Sequence, residues 1–121
     1  MTKARDLMER HLVGVSRTTK VAVALKLCHS AKVNLMPVLE DNMLCGIVFE
    51  ADLEAHRYSN TDAGKIMRNP IFVEADSSIE KISRTMIENG VGRIPVVQSR
   101  NKMICLGMLS STGVLRHIKK H

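Results

Sequence analysis

The chain has 121 residues, of which 45% are hydrophobic and 25% charged, an ordinary composition for one globular domain with a real core. No apolar run approaches the roughly 18 residues needed to cross a bilayer, and residues 1–20 are too polar for a signal peptide, so we expect a cytoplasmic protein with no membrane partner. The formal net charge of +6 is concentrated in residues 61–121, which carry 10 basic and 5 acidic side chains. This excess suits an anionic ligand.

The first half of the chain predicts elements in the order β, α, β, β, α. Apolar residues at 13–15 predict a short strand, and helical spacing of apolar residues over 21–28 predicts an amphipathic helix. Two apolar strands, 36–39 and 46–49, flank a polar turn and form a hairpin. A short closing helix then begins with Asp52 in its first turn.

The second half repeats this order at an offset of 58 to 61 residues. A strand at 71–73 precedes a helix that opens with a predicted capping box of Ser77 and Glu80. The hairpin over 94–109 is longer than the first, because its Pro and Gly are 12 residues apart rather than 9. Each half alone would be marginally stable, so we expect the two halves to fold as one unit.

This repeated pattern of a leading Met, a helix, an apolar-Pro-Val-apolar strand, a turn, and a Gly before two apolar residues resembles the cystathionine-β-synthase (CBS) domain. Two such domains in tandem form a Bateman module. The resemblance implies an α+β fold of two pseudo-symmetric β-α-β-β-α repeats, 1–60 and 61–121, with small sheets packed together and helices outside. It also implies clefts between the repeats that accept an adenosyl ligand, such as AMP, ADP, ATP or S-adenosylmethionine.

The same resemblance implies a regulatory or sensor module without catalysis that forms a homodimer and acts on another protein, which the sequence does not identify. We expect no tightly bound cofactor and no metal site. In this family a Ser or Thr follows the Gly-apolar-apolar run, and an Asp comes three residues later. Backbone amides at a helix N-terminus can bind phosphate, and a carboxylate can accept hydrogen bonds from ribose hydroxyls.

Each repeat departs from that pattern in a complementary way. The first has Asp52, but Phe49 stands in place of the hydroxyl residue; the second has Ser110, but Gly113 stands in place of the Asp. The residues that the resemblance assigns to ligand are Asp52 for ribose, and Ser110, Thr112 and Arg93 for phosphate. For the adenine pocket they are Val13, Val15, Met36, Pro37, Phe49, Ile71, Val73, Val91, Ile94 and Pro95.

Every one of these residues also has a purely structural interpretation. Asp52 suits the first turn of a helix because of the macrodipole, and Ser110 and Thr112 suit a helix cap. Arg93 could be a surface charge, and the apolar residues are core residues by default.

Two other functions stay open. The incomplete ligand patterns favour a ligand-free dimerisation scaffold as the first alternative. A nucleic-acid-binding module using the basic second half is the other, although one Tyr, two Phe and no Trp leave little for base stacking. The three cysteines lack the spacing of a zinc site or redox pair, and we expect them to be buried, reduced thiols.

Overall fold

The computed structural model describes residues 1–120, which form two compact units. One unit spans Val13–Pro70, and the other combines Met1–Leu12 with the chain from Ile71 onward. Residues 1–12 therefore belong to the unit built from the second repeat, and residues 61–70 belong to the unit built from the first. In chain order, the elements are α1 (Ala4–Leu7), α2 (Val21–Ala31), β1 (Leu35–Glu40), β2 (Met43–Phe49), α3 (Glu50–Ala55), α4 (Ala63–Ile66), β3 (Val73–Glu74), α5 (Ile79–Asn89), β4 (Arg93–Ser99), β5 (Lys102–Ser110) and α6 (Ser111–Lys120).

Both predicted hairpins are confirmed. In the Val13–Pro70 unit, β1 pairs antiparallel with β2, and the turn between them places Asp41 and Asn42 at positive φ. In the other unit, β4 pairs antiparallel with β5 and parallel with the two-residue β3. The register shifts between Val38 and Leu39 in the first hairpin, and at two points between Val96 and Ser99 in the second, and such irregularities bend a strand locally.

The strand predicted at residues 13–15 is reduced to one bridge, in which Val15 pairs in parallel with Val38. A polar turn follows at once and ends the pairing, because the Ser16 amide donates to the Thr19 hydroxyl at 3.0 Å. In the second repeat the corresponding strand, β3, is two residues long. The apolar pattern predicts three-residue strands at 13–15 and 71–73, whereas the structure has a single bridge at Val15 and a two-residue strand at Val73–Glu74.

The predicted capping box of Ser77 and Glu80 was wrong by one residue. The N-cap of α5 is Ser78, whose hydroxyl accepts a hydrogen bond from the Lys81 amide at 3.1 Å. The Ser77 hydroxyl instead accepts a hydrogen bond from the Glu74 amide at 3.1 Å, in the turn that precedes the helix. Two adjacent serines are both good caps, and the turn after β3 decides which one is used.

Each unit has its own aliphatic core. Val21, Met36 and Leu53 are fully buried in the Val13–Pro70 unit, and Ile82 and Ile94 are fully buried in the other. The apolar stripes of α2 and α5 face these cores, as their helical spacing predicts. Within residues 1–120, no helix is both long enough and apolar enough to span a membrane.

Residues 1–12 and 61–70, each of which belongs to the unit built from the other repeat, contact the hairpin of that unit at a glycine. In the Val13–Pro70 unit, Ile47 and Arg68 form an antiparallel bridge, and a Cβ on Gly46 would lie 2.7 Å from the Arg68 carbonyl oxygen. In the other unit, Glu9 bridges Met108, and a Cβ on Gly107 would lie 2.5 Å from the Glu9 carbonyl oxygen. These two glycines are needed because a backbone segment crosses the strand at van der Waals distance.

Candidate functional site

Asp52, the predicted ribose ligand, lies in the first turn of α3 and is paired with an arginine. One carboxylate oxygen accepts from Arg68 Nε at 2.8 Å, and the other accepts from Arg68 Nη2 at 3.0 Å. The Arg68 guanidinium also lies over the Phe49 ring, with its central carbon 5.1 Å from the ring centroid. We call Phe49, Asp52 and Arg68 the Asp52 surface.

The electrostatics of the Asp52 surface keep its carboxylate ionised. The hydrogen bonds from Arg68 hold the pKa of Asp52 below its usual value of 3.8, against an opposing contribution from desolvation. The Asp52 side chain is 26% exposed and that of Arg68 is 63% exposed, so both groups are open to a ligand from solvent. The arrangement offers an acceptor for hydroxyl groups directly beside a cationic donor.

Arg68 was not among the residues predicted from sequence. It lies 16 residues beyond Asp52, and their contact depends on the 61–70 segment returning to β2 through the bridge between Ile47 and Arg68. Comparison of the two repeats offers one signal in the sequence that could have pointed to Arg68. The counterpart of Arg68 beside the second hairpin is Glu9, so the two repeats carry opposite charges at this position.

Ser110 and Arg93, two predicted phosphate ligands, lie directly opposite each other on the paired strands β5 and β4. Side chains of directly opposed residues project to the same face of a sheet. Arg93 Nε is buried and has no hydrogen-bond partner within residues 1–120. We call Arg93, Ser110 and Thr112 the Ser110 surface.

The Ser110 surface also includes a helix N-terminus. The Ser110 hydroxyl accepts a hydrogen bond from the Gly113 amide at 3.0 Å, so Ser110 caps α6, and Thr112 is exposed in the first turn. Phe49 holds the equivalent place before α3 and provides no side-chain cap. The helix-cap interpretation of Ser110 is therefore confirmed. A serine hydroxyl that accepts one hydrogen bond can accept another and can donate its own O–H.

The residues predicted for the adenine pocket divide between the two units and between core and partly exposed positions. Phe49 is half-buried beside Arg68, whereas Pro37 and Pro95 are buried within their strands. Val15 and Met36 belong to the core of the Val13–Pro70 unit, and Val13 packs against that core. Val73 and Ile94 belong to the core of the other unit, and Ile71 and Val91 pack against it.

A groove of about 420 Å³ lies between α5 and α6 and is mainly apolar. Three of its apolar side chains are well exposed: Ile87 at 79%, Leu115 at 53% and Ile118 at 47%. Val91 is the one predicted adenine-pocket residue that lines this groove. Its lining residues are Ser83, Met86, Ile87, Gly90, Val91, Ser111, Val114, Leu115 and Ile118.

A family model for the CBS domain matches residues 4–56 and again residues 63–120. The chain belongs to the CBS domain family. Its CBS pair is 28% identical over 129 residues to hypoxic response protein 1 of Mycobacterium tuberculosis, covering 100% of this chain and 88% of that protein.

Solved structures of CBS proteins have the same fold. The crystal structure of CBSX2 in complex with AMP matches with a TM-score of 0.84 and 28% identity, covering 99% of this chain and 98% of that one. The CBS domain pair of protein MJ0100, in complex with 5'-methylthioadenosine and S-adenosylmethionine, matches with a TM-score of 0.80 and 18% identity, covering 98% and 97%. The predicted α+β fold of a CBS pair is therefore confirmed.

Proposed function

We propose that this CBS pair is a regulatory module without catalytic activity that binds an adenosyl ligand, either an adenosine phosphate or S-adenosylmethionine. The observation that carries the proposal is the placement of Arg93 opposite Ser110, with the Arg93 Nε buried and without a hydrogen-bond partner among the described residues 1–120. A buried cationic donor is costly without an acceptor, and a phosphate at the N-terminus of α6 would supply one. CBSX2, whose structure holds AMP, is a similar protein over nearly its whole length.

The Asp52 surface is a second candidate site, separate from the Ser110 surface, and a ligand bound there would place its ribose against Asp52. The Asp52 carboxylate is ionised and partly exposed, and it retains acceptor sites beyond the two that Arg68 occupies. The residues assigned to the adenine are the ten apolar residues that the CBS resemblance predicts. Of these, Phe49 lies against Arg68 and Val91 lines the groove between α5 and α6.

Regulation requires that the ligand prefer one conformation of the module or of the protein that responds to it. A ligand with equal affinity for both states would shift nothing. The responding protein is therefore expected to bind the liganded and ligand-free modules with different affinities.

Thermal melting with each candidate ligand tests the proposal. A ligand present at about 100 times its dissociation constant should stabilise the fold by about 2.7 kcal/mol. For a chain of this length that corresponds to a rise in melting temperature of roughly 10 °C. If no adenosine phosphate and no S-adenosylmethionine raises the melting temperature, the ligand-binding function is refuted and the scaffold alternative stands.

Variants at the Ser110 surface test whether the phosphate of the ligand binds there. Ser110→Ala combined with Arg93→Met should weaken AMP binding by about tenfold or more, because charge-assisted hydrogen bonds are lost. Arg84→Met is the matched control, since it removes one positive charge from an exposed position on α5. Isothermal titration calorimetry gives the dissociation constants. Equal affinity in the double variant and the control would remove these residues from the site.

We also propose a homodimer that forms through the groove between α5 and α6. Ile87, Leu115 and Ile118 are exposed there, whereas the residues at the corresponding positions in the first repeat are polar: His29, Glu54 and Arg57. Glu54 and Arg57 form an ion pair with each other. Val23 and Leu27 of α2 are also exposed in the first repeat, but the three groove positions themselves are apolar only in the second. A twofold axis would bring the groove against the same surface of a second copy.

Sedimentation equilibrium tests the homodimer. Ile118→Glu should weaken self-association by about tenfold or more, because a charge would be buried at an apolar contact. Met43→Glu, at an exposed apolar residue of β2 outside the groove, is the control and should leave self-association unchanged. A wild-type chain that stays monomeric, or an Ile118→Glu variant that associates normally, refutes this interface.

A further inference from the structure

We propose that Arg68 is the phosphate-binding residue of the Asp52 surface, and that this surface therefore selects adenosine phosphates over neutral or cationic adenosyl ligands. The inference rests on the proposed function, because it assumes that an adenosyl ligand binds this module. It adds a ligand residue that the sequence pattern does not contain and narrows the ligand to one class.

The geometry leaves Arg68 free to take a second anionic partner. A guanidinium carries five N–H donors, and the pair with Asp52 uses two of them, one on Nε and one on Nη2. The Arg68 side chain is 63% exposed, so the remaining donors can be reached from solvent. A phosphate can bind without displacing Arg68 from Asp52.

Arg68 is also held in place from two directions. Its backbone forms hydrogen bonds with Ile47 in both directions, at 2.8 and 3.0 Å, and its guanidinium is fixed by Asp52 and rests over Phe49. An arginine that is already ordered loses less side-chain entropy when it binds a ligand. This order distinguishes it from the freely moving arginines of a solvated surface.

The position of Arg68 accounts for the missing hydroxyl of the first repeat. Phe49 replaces the Ser or Thr that the family pattern places there, so the residue itself offers no hydrogen bond to phosphate. Its ring instead supports the guanidinium, whose donors lie beside the ribose acceptor Asp52. The anion-binding group is thus supplied by the segment that precedes β3 rather than by the start of α3.

The charge of Arg68 sets the ligand class. A phosphate attached to the ribose would meet a cation, whereas the sulfonium of S-adenosylmethionine would be repelled by it and adenosine would gain nothing from it. We therefore expect AMP to bind wild type about tenfold or more tightly than adenosine.

Calorimetric titration of AMP, adenosine and S-adenosylmethionine into wild type and Arg68→Met tests the inference. Arg68→Met keeps the length of the side chain and removes its charge, and the preference for AMP over adenosine should fall by about tenfold or more. Arg17→Met is the matched control, since Arg17 is an exposed arginine in the same unit that pairs with Glu40 at 3.5 Å. Arg68→Gln serves as a second variant if Arg68→Met does not fold.

The outcomes separate the two proposals. Binding of AMP to wild type, with its preference lost in Arg68→Met and kept in Arg17→Met, supports the inference. Binding of AMP with an unchanged preference in Arg68→Met overturns the role of Arg68 and leaves the proposed function standing. Failure of all three ligands to bind wild type refutes the proposed function and the inference with it. Tighter binding of S-adenosylmethionine than of AMP by wild type overturns the inference alone.

Discussion

Gly46→Ala probes the close approach between β2 and the 61–70 segment. The added Cβ would lie 2.7 Å from the Arg68 carbonyl oxygen and 2.8 Å from Met67 Sδ. The sulfur can move, but the carbonyl belongs to a backbone fixed by two hydrogen bonds to Ile47. Forcing a methyl group into such a space typically costs about 1–3 kcal/mol.

That cost predicts a loss of roughly 4–12 °C in melting temperature for a domain of this size, measured by differential scanning calorimetry. Gly92→Ala is the control, because a Cβ there would meet Ser111 Oγ at 3.5 Å, an ordinary contact. Its melting temperature should stay within about 2 °C of wild type, or rise slightly because the unfolded chain loses freedom. If Gly46→Ala melts with the control, the segment is not held against β2, and the placement of Arg68 beside Asp52 loses its structural basis.

Three other predictions concern stability and reactivity. Leu53→Ala removes a fully buried side chain and should cost about 2–5 kcal/mol in a urea unfolding experiment; a loss below about 1 kcal/mol would contradict the core described for the first unit. Asp52→Asn should lower the free energy of unfolding by up to about 1 kcal/mol at pH 7. Because the folded-state pKa of Asp52 is depressed, its contribution is present above the usual value of 3.8 and is lost as the pH falls through the folded pKa, so the variant and wild type should converge once the pH is below the folded pKa. Persistence of the difference at that pH would mean that the carboxylate charge is not its source. Burial, with a smaller effect of the nearby Glu50 carboxylate, raises the pKa of the Cys28 thiol to about 11, and burial also raises the pKa of Cys105. At pH 8 both thiols should therefore react with a thiol reagent more slowly than the partly exposed Cys45, and mass spectrometry follows the three rates. Equal rates for all three would contradict the burial.

The fold was largely predictable because the sequence presents the same pattern twice. Pro37 and Pro95 mark the start of equivalent hairpins, and the spacing of apolar residues located α2 and α5 to within a few residues. The errors arose where the local sequence allows two structures equally well. Ser77 and Ser78 are equally good caps, and the apolar residues at 13–15 could not show that a polar turn would cut the strand short.

The candidate sites were predictable only in part. The resemblance of the repeats to the CBS domain singled out Asp52, Ser110 and Arg93, and strand pairing in the structure places Arg93 opposite Ser110. Arg68 could not be found in this way, because its contact with Asp52 depends on how a segment outside the repeated hairpin returns to β2. A pairwise contact between distant residues is set by the tertiary path of the chain, which periodicity and spacing do not encode.

Because residues 1–12 and 61–70 each belong to the unit of the other repeat, neither repeat produced alone contains a complete unit. A fragment ending at residue 60 would lack the stretch whose backbone covers Gly46, and the complementary fragment would lack the stretch whose backbone covers Gly107. Each piece would expose the hydrogen-bonding groups of a strand that only the other piece can satisfy. Separately produced halves should therefore behave as mutually dependent fragments that regain order when mixed, rather than as two autonomous domains.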